Sequence, residues 1–113
     1  MPMQISHDEI APGVARIALT GRVMMGPSSE PIIKCVDDAL RQGAHTIIFD
    51  LSGVTAIDST GIGRFISSFN KIAAAGGSMR MAAAAGHVLE AFHVSLLDTV
   101  FSFYPTVEEA LKA

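Results

Sequence analysis

The sequence predicts an α/β fold: one domain over residues 1–113 with a mixed, mostly parallel sheet of about four to five strands. About four helices should flank the sheet, and an N-terminal antiparallel hairpin should open it. Three observations predict this. A short run apolar on both faces, Thr46–Phe49, leads through a turn-rich segment into a helical pattern. Candidate strands and helices alternate after the hairpin, which implies right-handed crossovers between parallel strands. Finally, 113 residues, half of them hydrophobic and 17% charged, suffice for one packed core and leave no material for a second domain.

The elements follow in order. Met3–Glu9 alternates weakly, Pro12-Gly13 marks a turn, and Val14–Thr20 alternates better, so the two runs read as the hairpin. Gly21–Gly26 reads as a loop. Ser28 or Ser29 is placed to cap a helix with Pro31 in its first turn, where a missing N–H does no harm. That helix should bury Ile32, Ile33, Val36, Ala39 and Leu40 and end at Gly43, with Asp37 and Arg41 as an exposed pair. The strand Thr46–Phe49 comes next. Ile62, Phe65, Ile66, Phe69, Ile72 and Ala73 then recur at helical spacing up to Ala75. Gly76-Gly77 ends that helix, and Ser78–Ala82 reads as a strand. Gly86–His93 reads as a short helix with Val88, Leu89 and Phe92 inward, and Thr99–Phe103 as a last strand stopped by Pro105. Thr106–Lys112 closes the chain as a helix, with Thr106 as cap and Glu109 at the capping-box position.

Composition excludes several function classes. A net charge of −3 argues against nucleic acid as a partner. No apolar stretch approaches the roughly 20 residues of a membrane span, so membrane insertion is not expected. Met1–Ser6 lacks the basic-then-apolar pattern of a signal peptide. The single cysteine, Cys35, has no partner for an internal disulfide and reads as a small buried side chain, compatible with the cytoplasm.

Catalytic machinery is not evident either. His7, His45, His87, His93 and Cys35 show no zinc-type spacing, so neither metal nor cofactor is expected. Ser59-Thr60-Gly61-Ile62-Gly63 lacks the lysine of a nucleotide-binding P-loop, and Ser59 is not in a Gly-x-Ser-x-Gly elbow. No histidine is placed as its base, so the chain does not read as an enzyme. What remains is the Asp58-Ser59-Thr60 junction, whose oxygen-bearing side chains suit a helix start. On physics alone, Asp58 and Ser59 are either caps or a working site. Gly61 and Gly63 either relieve crowding against the sheet or keep the first turn bare for a partner.

Asp58-Ser59-Thr60-Gly61-Ile62-Gly63, preceded by Asp50-Leu51 and followed by an amphipathic helix and Gly76-Gly77-Ser78, resembles the anti-sigma factor antagonists of the STAS domain family. The likeness spans nearly the whole chain: Leu19–Val23 fits the family's second strand and turn, and Phe92–Asp98 its third-helix segment. The resemblance implies a cytoplasmic bacterial signalling domain. Ser59 would be phosphorylated by a partner anti-sigma factor serine kinase, with Thr60 as secondary candidate. The unphosphorylated form would bind that kinase and release a sigma factor, and a phosphatase would reset the switch. Partner contacts would come from Met24, Met25, Gly26, Asp58, Ser59, Thr60, Gly61, Ile62 and Gly63; self-association is left open.

This sequence departs from the family pattern at one place. Where the antagonists usually carry Gly-Glu-Leu-Asp, it has Gly21-Arg22-Val23-Met24. Met24 and Met25 form either a flexible apolar contact surface or side chains tucked onto the sheet edge. The departure motivates a second reading, a STAS scaffold or accessory subunit of another signalling or transport complex without a phospho-switch.

Overall fold

The computed structural model describes residues 3–26 and 29–113. Five strands form one sheet in the order β1-β2-β3-β4-β5: β1 Gln4–Ala11, β2 Val14–Val23, β3 Thr46–Ile57, β4 Ser78–Ala82 and β5 Ser102–Tyr104. β1 and β2 pair antiparallel, and every later pairing is parallel. The helices are α1 Pro31–Arg41, α2 Ser59–Ala74, α3 Gly86–Val94 and α4 Val107–Lys112. The chain always steps the same way across the sheet. Right-handed crossovers therefore put α1, α2 and α3 on one face, leaving α4 for the other.

Strand alternation sorts the core accordingly. Ile17 and Leu19 of β2, Ile47 and Phe49 of β3 and Met81 of β4 meet Ile32 and Val36 of α1, Phe65 and Ile72 of α2, and Phe92 of α3. Phe65 stands edge-on to Phe49, with ring centroids 5.1 Å apart, and contacts Phe92 at 5.6 Å. These are the favourable geometries for aromatic quadrupoles. The opposite face is thinner: Val14, Ile48 and Ala82 pack under Ala110 of α4. Arg80 Nη1 fastens that helix by donating to the Ala110 carbonyl at 2.9 Å.

Several local expectations are corrected. The Gly21–Gly26 segment is not all loop, because β2 continues to Val23, whose side chain is fully buried. β3 likewise runs on to Ile57 rather than stopping at Phe49. The two extensions pair with each other, and register shifts at Ala18/Thr20 and Gly21/Arg22 absorb the turn-forming residues. A β-carbon at Gly53 would stand 3.1 Å from the Leu19 carbonyl oxygen, so Gly53 permits close strand contact here and makes no turn.

The helices differ in detail as well. Glu30 occupies the N-cap of α1 without a side-chain cap bond; Ser29 is turned to other partners, and Ser28 lies outside the described residues. Ile33 and Leu40 are only partly buried. Asp37 bonds to Lys71 across the α1–α2 contact at 2.9 Å, and Arg41 approaches Asp38 instead. In α2 the buried arc is narrower than the apolar arc, so Ile66 and Ala73 are exposed. Leu89 of α3 is also exposed. The segment Leu97–Thr99 forms a 3-10 turn, which delays β5 to Ser102.

Candidate functional site

Parallel strands aligned in register bring their carboxyl ends to one edge, where α/β sheets present their sites. Here Arg22 pairs with Ala56 and Val23 with Ile57. The Met24–Gly26 loop therefore leaves the sheet directly beside the Asp58-Ser59 start of α2.

Asp58 is the N-cap of α2, with extended backbone, and Ser59 is the first helical residue. Asp58 N donates to the Val23 carbonyl at 3.3 Å, tying the junction to the end of β2. The Asp58 side chain reaches in two directions. Oδ1 accepts the Gly61 N–H at 2.8 Å, satisfying one of the orphan donors of the helix. Oδ2 accepts the Met25 N–H at 2.9 Å from a loop 33 residues away in sequence. The Gly61 bond and then the Met25 bond hold the carboxyl below the usual carboxylate range, because both favour the charged form.

A second tie holds the same loop from the other side. Ser29 is fully buried, and its hydroxyl donates to the Gly26 carbonyl at 3.3 Å. That hydroxyl also accepts from Arg64 Nε of α2 at 3.2 Å. Sequence reading missed both Ser29 in this role and Arg64. No local pattern marks them, since the contact depends on how α2 lies against the loop.

The predicted site residues thus fall into distinct environments. Ser59 is exposed, while Asp58, Thr60, Ile62 and Gly63 are partly buried. The two glycines part company. A β-carbon at Gly61 would collide with the Val23 carbonyl oxygen and stand 2.9 Å from Ile57 Cγ1, so crowding against the sheet explains this glycine. A β-carbon at Gly63 would meet nothing within 4 Å. The methionines also separate: Met24 is half-buried, whereas Met25 is 76% exposed.

Chemically, the arrangement presents a serine hydroxyl at an open helix start. His45 is hydrogen-bonded to Thr46 and His93 to Asp98, and among the described residues no histidine is hydrogen-bonded to Ser59. Among the described residues no group of His, Cys, Asp or Glu is arranged to hold a metal ion. The described helices include none long and apolar enough to cross a membrane. Cavities of about 120, 200 and 290 Å³ are lined by residues around His7 and Ala39, around Ile5 and Thr20, and around Leu89 and Tyr104; Ser59 lines none of these three. Cys35 is buried, and burial pushes its thiol up, as for an unreactive core cysteine.

Comparison with known proteins agrees with this architecture. A Thermotoga neapolitana protein, named as a candidate anti-sigma factor antagonist, is 28% identical over 76 residues, covering 67% of each chain. The solved structure of an anti-sigma factor antagonist from Mycobacterium paratuberculosis superposes with a TM-score of 0.81 at 20% identity, over 97% of this chain and 92% of that one. The phosphorylated form of the Bacillus cell fate determinant SpoIIAA superposes with a TM-score of 0.74 at 23% identity, over 96% and 97% of the two chains. The STAS domain model matches residues 8–110. This chain belongs to the STAS domain family.

Proposed function

We propose that this chain is a cytoplasmic, non-enzymatic anti-sigma factor antagonist that binds a cognate anti-sigma serine kinase through the Met24–Gly26 loop and the start of α2. Ser59 is the phosphoacceptor and Thr60 the secondary one. The observation that carries the reading is the exposed Ser59 hydroxyl at the first position of α2, beside a loop that Asp58 anchors. In the transfer, Ser59 Oγ attacks the terminal phosphorus of a nucleoside triphosphate held by the kinase. The Oγ–P bond forms, the bond to the diphosphate breaks, and the hydroxyl proton passes to a base of the kinase.

A phosphate adds about −1.5 to −2 charges at neutral pH. At a helix N-terminus the dipole tolerates that charge, so the domain stays folded. A partner packed over Ser59 must instead desolvate the phosphate, and docking is lost. A phosphatase restores the binding form. Ser59→Ala tests the acceptor: incubated with the cognate kinase, it should take up no phosphate, and undiminished uptake would remove Ser59 from the role.

Arg22 and Met24, standing where antagonists usually carry acidic residues, favour a second reading. In it the domain is a scaffold or transport accessory whose Ser59 is only a helix residue.

A further inference from the structure

Among the described residues Met25 is the most exposed of the large hydrophobic side chains, yet its backbone N–H is held. The Asp58 carboxylate holds it there while also capping the helix that begins with Ser59. We infer that Asp58 couples the phosphorylation state of Ser59 to the posture of Met25, so that a phosphate on Ser59 releases the Met25 loop from α2. The inference rests on the reading of Ser59 as phosphoacceptor and adds how that event reaches a second part of the partner face.

The physical basis is competition at one helix start. Asp58 and Ser59 are adjacent, so a phosphate places a second anion within a few ångströms of a carboxylate that already accepts two N–H groups. Like charges so close disfavour sharing the site. The two carboxylate bonds differ in how easily they yield. The Gly61 bond is local to the helix and pinned by Gly61 lying against Val23. The Met25 bond spans two segments and ends on an exposed loop residue. Rotation of the carboxylate away from a phosphate therefore gives up Met25 first. The Ser29–Arg64 tie, which lies beyond Gly26, holds the base of the loop and confines the change to Met24 and Met25. Loss of Met25 then withdraws an apolar anchor from the partner, in addition to the charge clash at Ser59 itself.

The test uses the full chain with phosphoserine installed at position 59 by genetic encoding, so it is independent of whether cells phosphorylate that residue. Amide exchange at Met25, followed by NMR, is compared with the unmodified chain. The expected result is an increase of about tenfold or more at Met25, the scale of losing one charge-assisted hydrogen bond, with Ser29 unchanged. Asp58→Asn retains a cap oxygen for Gly61 but cannot serve both N–H groups. It should raise Met25 exchange without phosphate and show no further rise with phosphoserine. Unaltered Met25 exchange in the phosphorylated chain would overturn the inference. So would an equal phosphate-dependent rise in Asp58→Asn, since the coupling would then bypass Asp58.

Discussion

Gly61 lies so close under the Val23 carbonyl that no β-carbon fits between helix α2 and the end of strand β2. This contact sets how near the Ser59 helix start approaches the Met24–Gly26 loop. Gly63, two residues on, faces open space.

The pair makes a paired prediction. Gly61→Ala should destabilise the fold by about 1–3 kcal/mol through overpacking against backbone that cannot give way. Gly63→Ala should be neutral or stabilise by up to about 1 kcal/mol, because alanine is the better helix former. Denaturant midpoints of the two variants check this. Equal losses would show that the helix start is crowded on both sides.

Ser29 should matter more than a loop serine usually does. It is fully buried and bridges the Gly26 carbonyl to Arg64 Nε. Ser29→Ala leaves both groups short of a partner, and the expected cost is about 1–3 kcal/mol in thermal or denaturant unfolding. A change within about 0.5 kcal/mol, the range of ordinary surface substitutions, would mean that the bridge contributes nothing.

The sequence carried the class of fold, the hairpin and the Asp58–Gly63 junction. Each rests on local information: alternation, helical spacing and the capping chemistry of an aspartate three residues before Gly61. The tie from Asp58 to Met25 was not legible, because it needs the β2–β3 register that brings Val23 beside Ile57. Ser52 and Gly53 look like a turn, yet lie within β3 where Gly53 packs against β2. In α2, apolar spacing counted Ile66 as inward, but α1 and the sheet cover a narrower arc and leave it exposed. Tertiary contacts decided all three.

His93 provides a pH-dependent contact at the end of α3. Its Nδ1 lies 2.6 Å from Asp98 Oδ2, closing the turn that contains Leu96, whose φ is +61°. The hydrogen bond to Asp98, then its charge, and to a lesser degree Glu90, raise the imidazole above its ordinary value. A raised folded-state value means that the pair's stabilisation is fully present below the unfolded value of about 6.5 and is lost as pH rises through the folded one. Amide exchange across Val94–Leu97 should therefore speed up as pH rises through that window, beyond the intrinsic base-catalysed trend. In His93→Gln this excess should vanish. Identical excess in both proteins would contradict the assignment.

The proposed switch requires a regulatory phosphate on Ser59 in the cell. Mass spectrometry of the protein purified from its own cells tests this most directly, on the tryptic peptide that ends at Arg64 and contains Asp58–Gly63. Phosphate is expected on Ser59 in a fraction that changes with growth condition. A peptide unmodified at Ser59 and Thr60 under every condition would contradict it and leave Ser59 as the first residue of a helix.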